Sequence, residues 1–111
     1  MLHERSRRVL GIQVKTIGVD KRHPHNTVDI DMVSFRPSVT TTVVVVAWDR
    51  DESALCDQCL VIPSTEIGQI AAVTRGHLRF AFNPQPGRAG KLDPYRRPLE
   101  ELGRVTAEQT Q

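Results

Sequence analysis

The run Thr40-Thr41-Thr42-Val43-Val44-Val45-Val46-Ala47-Trp48 constrains this chain more than any other segment. β-Branched side chains are stiff at χ1 and crowd a helix, but they fit a pleated strand. Because the apolar residues are continuous rather than alternating, the strand they predict is covered on both faces and lies inside a sheet. On an exposed edge the same run would template aggregation, which is a second reason to place it centrally. The rest of the chain must therefore supply neighbours for both edges and cover for both faces.

Several segments can do so. After Gly11, Ile12-Gln13-Val14-Lys15-Thr16-Ile17 alternates with period two, which predicts a one-sided strand with Ile12 and Val14 on one face and Gln13 and Lys15 on a polar face. Thr27 to Phe35 alternates again, with Val28, Ile30 and Met32 opposed to Asp29 and Asp31. The acidic turn Asp49-Arg50-Asp51-Glu52 leads to Gln58–Ile62, a strand placed to pair with the central run as a hairpin and stopped by Pro63. Ser64 is placed to cap a helix running to about Val73 and closed by Arg75-Gly76, with Glu66 at its positive end. His77 to Phe82 alternates as another strand, and 83–90 is a Pro/Gly-rich loop. Asp93-Pro94 and Arg97-Pro98 are helix starts, His3 to Leu10 a short helix, and Thr106 to Gln111 a frayed end. The expected fold is α/β, a mixed sheet of about four or five strands with flanking helices. It forms a single domain over 1–111, with a core of about 11–103 and terminal segments 1–10 and 104–111.

A chain of 111 residues has material for one core, and no apolar run approaches the ~20 residues that span a bilayer. A cytoplasmic location with no membrane partner is the expectation. The net charge of +2 says little, but Arg75, Arg79, Arg88, Lys91, Arg96 and Arg97 face a single nearby acid, Asp93, and Arg5, Arg7 and Arg8 form a second basic group. Such a distribution suits a phosphate backbone, with Arg79, Arg88 and Lys91 as candidate DNA contacts; a solvated basic face is the alternative. Cys56 and Cys59 have the spacing of a redox pair or half a zinc site, yet Cys59 runs straight into Leu60-Val61-Ile62, as a half-buried strand cysteine would. His3, His23, His25 and His77 show no ligand spacing.

The order Gly11-Ile12-Gln13-Val14-Lys15-Thr16, then an apolar strand ending in Trp48-Asp49, then Cys59-Leu60-Val61-Ile62-Pro63-Ser64 before a helix, resembles the restriction-endonuclease-like PD-(D/E)xK superfamily, in its bacterial branch with Gln-x-Lys. The resemblance covers about residues 11 to 103. It implies Mg²⁺-dependent phosphodiester hydrolysis of nucleic acid, with Gln13 as a metal ligand through its amide oxygen and Lys15 beside the attacking water or scissile phosphate. Residues i and i+2 of a strand do share a face, as that chemistry needs. The family also places an Asp on a preceding strand, whereas the sole acid before Gln13 is Glu4. Three arrangements accommodate this: a fragment or misplaced start, a site completed by a partner chain, or a non-catalytic relative. Asp29 and Asp31 are substitutes only by an unusual arrangement. The rival expectation is an interaction module whose sheet edge pairs with another copy or a larger chain.

Overall fold

The computed structural model describes residues 11–31, 37–85 and 90–102. Eight strands form two sheets: β1 (Gly11–Val19), β2 (Asn26–Asp31), β3 (Thr41–Asp49), β4 (Ala54–Leu55), β5 (Gln58–Pro63), β6 (Ala72–Thr74), β7 (His77–Phe82) and β8 (Arg96–Pro98). The larger sheet has the order β1-β3-β5-β8, with β4 attached to the end of β3; the smaller has the order β2-β7-β6. The architecture is mixed α/β, but its second layer is a sheet. The expected flanking helices reduce, among the described residues, to one helical turn α1 (Ile67–Ile70), short 3-10 turns at Ser64–Glu66 and Asp93–Tyr95, and a helical segment at Glu101 and Leu102.

β3 is the interior strand that its sequence demands. It pairs in parallel with β1, Gly11 opposite Thr41 through Val19 opposite Asp49, and antiparallel with β5, Thr42 opposite Pro63 through Val45 opposite Leu60. Val43 through Ala47 are all buried. Alternation sorts them: Val43, Val45 and Ala47 join Leu60, Ile62, Ile17 and Val19 against Val28, Ile30, Leu78, Phe80 and Phe82 of the smaller sheet. Val44, Val46 and Cys59 face outward and pack with Ile12, Val61, Leu99 and Leu102. Burying each large apolar side chain contributes roughly 1.5–3 kcal/mol, so the inter-sheet layer is the main source of stability.

The segment after Pro63 departs from expectation. The helix ends at Ile70, and Ala72–Thr74 instead forms β6, paired with β7. Arg75 and Gly76, at φ 47° and 82°, are the two left-handed residues of a tight hairpin turn, not a helix terminus. Ser64 caps nothing. It is 1% exposed, and its hydroxyl accepts from the Ser38 N–H at 2.8 Å and donates to the Ser38 carbonyl at 2.8 Å, tying the approach to β3 onto the end of β5. Arg97 and Pro98 lie in β8, opposite Cys59 and Gln58. The expected helix over His3–Leu10, the end of the strand expected to reach Phe35, and Arg88 lie outside the described residues.

Candidate functional site

β1 carries the Gln-x-Lys pair, and the structure reverses the face expected for it. Ile17 and Val19 point into the inter-sheet core, and Gln13 and Lys15, in phase with them, stand on that same side, opposite Val43 and Val45. Both are half-buried. The apolar residues turned to the outer face are Ile12, which packs against the outer cluster, and Val14, 58% exposed. The cause lies in the strand itself: apolar residues occupy even positions at Ile12 and Val14 but odd positions at Ile17 and Val19, and only the odd set meets the second sheet. Lys15 stands in register with the buried Val45 and is itself half-buried, a position a long cationic side chain fills with its aliphatic stem while its charge stays in water.

These neighbours decide what the pair can hold. Gln13 is followed across the sheet by Val43 and then Ile62, both fully buried and apolar, and the nearest charge on its own strand and face is the cation Lys15. Among the described residues, no group of three His, Cys, Asp or Glu side chains is placed to hold a metal ion. One neutral amide beside an ammonium is a poor donor set for Mg²⁺, which takes near-octahedral oxygen ligands with one or two carboxylates. The described residues therefore do not fit the metal that the sequence resemblance implies. Asp29 is committed elsewhere: it grips Arg79 Nε and Nη2 at 3.0 Å, and its other oxygen lies 2.7 Å from His77 Nδ1, at an angle that leaves that nitrogen without an aligned hydrogen bond.

Three of the basic residues are similarly engaged. Arg79 faces Asp29. Arg96 bonds Gln58 and the Asn83 carbonyl, pairs with Asp93 and lies over the Phe82 ring, while Arg97 donates to the Pro94 and Arg96 carbonyls. Of the three candidate DNA contacts, Lys91 is exposed beside a shallow hollow of about 290 Å³ that also involves His25, Asn83 and Arg96. A continuous field of free positive charge is thus absent among the described residues of this stretch. Cys56 packs on the inter-sheet core and Cys59 in the outer cluster, on opposite sides of the sheet, so they form no dithiol or shared ligand pair; burial pushes both thiols up, with Asp49 and Asp57 adding at Cys56 and Glu101 at Cys59.

Known protein families, characterised proteins and solved structures offer no match to this chain.

What β1 presents instead is backbone. The Gly11 N–H donates to the Thr40 carbonyl and the Arg50 N–H to the Val19 carbonyl, each at 2.9 Å. In a parallel pair alternate residues direct both peptide groups to the neighbour. The odd residues from Gly11 to Val19 therefore face β3, and Ile12, Val14, Thr16 and Gly18 face the other edge. No strand among the described residues pairs there. The Gly18 carbonyl accepts the Asn26 side-chain amide at 3.0 Å. Ile12, Val14 and Thr16 make up the rest of this edge, left open among the described residues. Sequence reading found the strand, its alternation and, as the rival expectation, a sheet edge left for a partner, but not which peptide groups of β1 face outward, which depends on the parallel register to β3; the change of apolar phase between Val14 and Ile17 was the signal for the reversed face.

Proposed function

We propose that this chain is an interaction module that binds by strand addition: an extended segment pairs with the open edge of β1. The observation that carries the reading is the run of outward-facing peptide groups at Ile12, Val14 and Thr16 beside the exposed Val14 side chain. Edge strands in proteins are usually short, charged, bulged or covered. β1 is nine residues long, against three for β8 at the opposite edge of the same sheet. An added strand gains main-chain hydrogen bonds for affinity and alternate side-chain contacts for selectivity. Amide hydrogen exchange tests this: in dilute protein Ile12, Val14 and Thr16 exchange fast and Gln13, Lys15 and Ile17 slowly, and an alternating Thr-Val peptide protects the first set. Slow exchange at all six without peptide, or no response to it, would overturn the reading.

A second reading keeps the nuclease-like chemistry, favoured by one observation: Gln13 and Lys15 do share the half-buried, core-facing side of one strand. On this reading the acid that the described site lacks comes from the strand that pairs with β1. Plasmid cleavage with Mg²⁺ or Mn²⁺, lost in Lys15→Ala, would support it; no cleavage with the edge occupied would leave the interaction module alone.

A further inference from the structure

The open edge is self-complementary in one register. We propose that its occupant is a second copy of this chain, with β1 joined antiparallel to β1 about a two-fold axis through Val14. This rests on the reading of β1 as an acceptor edge and names its partner.

Antiparallel partners must set outward-facing residues opposite one another. Only Ile12, Val14 and Thr16 qualify, because the Gly18 carbonyl is occupied by Asn26. One register matches all three among themselves: Val14 opposite Val14, and Ile12 of each copy opposite Thr16 of the other. An axis at Gln13 leaves Thr16 unmatched within the described strand. An axis at Lys15 sets two ammonium groups face to face and sends Ile12 to the blocked Gly18. With the axis at Val14, the inward-facing Lys15 of one copy instead meets Gln13 of the other, whose amide oxygen can accept from it. On the outer face the two Val14 side chains, each 58% exposed in the single chain, cover one another between the Ile12–Thr16 pairs.

Lys15 thus has a selective role. An inward charge on an edge strand discourages indiscriminate pairing; here it tolerates the register that puts Gln13 opposite and penalises the one that puts lysine opposite. Each copy uses up its long edge, so the assembly closes as a dimer.

The residue on the axis meets itself, and the test uses this. Val14→Lys and Val14→Glu each place like charges opposite one another at a position exposed in the single chain, so each variant is a monomer with an unchanged circular dichroism spectrum. An equimolar mixture restores a one-to-one heterodimer in native mass spectrometry and sedimentation, while the unaltered chain is a dimer across the same dilution series. Should a variant fail to fold, Gln13→Cys and Lys15→Cys chains give a second readout: mixed and oxidised they cross-link, and neither does so alone, since like positions lie on a diagonal of about 7–8 Å. A native chain that stays monomeric while the Thr-Val peptide still protects Ile12, Val14 and Thr16 overturns the copy as partner and leaves the acceptor edge standing. Monomers whose edge amides are slow and unresponsive to peptide overturn both. A dimer that survives Val14→Lys, or a mixture that does not reassociate, overturns the register.

Discussion

The Asn26 side-chain amide donates to the Gly18 carbonyl at 3.0 Å, and the Asn26 side-chain oxygen accepts from the Thr27 N–H at 2.8 Å. One residue therefore fastens the start of β2 to the end of β1 and closes that end of the open edge. Asn26→Ala removes both bonds at an exposed site and is expected to cost about 1 kcal/mol. Asn26→Asp keeps the acceptor but sets a carboxylate against a carbonyl oxygen, and should cost more. Urea unfolding of the three proteins checks the order.

Ser64 exchanges two hydrogen bonds with the backbone of Ser38 at a buried position. Ser64→Ala leaves a peptide N–H and carbonyl without that partner and is expected to destabilise by about 1–3 kcal/mol. If Ser64 acted as the helix cap that its position after Pro63 suggests, Asp or Asn there would retain stability. Both are larger than the site allows and should fail to rescue, as thermal unfolding of Ser64→Asp and Ser64→Asn will read.

The cysteines should be slow to react. Cys59 is fully buried, and its Sγ lies 3.6 Å from the Arg97 carbonyl; Cys56 is half-buried, and burial first, then the nearby carboxylates, holds both thiols above their ordinary value. The thiolate is the reactive form. At neutral pH Cys56 should react slowly with an aromatic disulfide reagent and Cys59 only at the rate of unfolding, with no internal disulfide under mild oxidation. Rapid labelling of both would contradict their burial, and an internal disulfide would contradict their placement on opposite sides of the sheet.

Asp20 organises the loop after β1. Its carboxylate accepts from the His23 N–H at 2.7 Å and from Arg50 Nε and Nη2 at 3.2 and 3.0 Å, and these bonds, the His23 backbone donor foremost, hold its carboxyl below the usual aspartate range. A folded-state pKa below the unfolded one contributes stability that is present above the unfolded value and lost as pH falls through the folded one. Stability should therefore drop from about pH 4 downward. Asp20→Asn should lose part of that acid dependence and be the less stable protein at pH 7. Denaturant unfolding across pH 2.5–7 (about that range suffices for an aspartate) gives the two curves.

Much of the sheet was legible in the chain. The β-branched run states its own position, and His77–Phe82, with Leu78, Phe80 and Phe82 inward, follows its alternation residue for residue. What was not legible has specific causes. Ile67 and Ile70 start a helical spacing, yet Val73 and Thr74 belong to a hairpin whose turn, Arg75-Gly76, lacks the Asn or Asp that usually advertises it. The alternation of Gln13 and Lys15 was plain in the sequence. Which side it faced was not, because β1 changes apolar phase and only the arrival of the second sheet selects a side. The expected central strand and its hairpin to β5 are present, while the expected helical layer was replaced by strands that a single sequence gives no means of assigning to a second sheet.

The parallel pairing of β1 with β3 also sets an order of events during folding. β3 and β5 join across a short connection, as do β6 and β7, so both can form early; β1 must wait for a partner thirty residues further along the chain. Until it docks, the valine run has one side uncovered, and every molecule that lingers in that state is available to its neighbours. In the folded chain β1 covers one edge of that run along its whole length, from Gly11 opposite Thr41 to Val19 opposite Asp49. Substitutions that slow its docking should lower the yield of refolding long before they alter the finished protein.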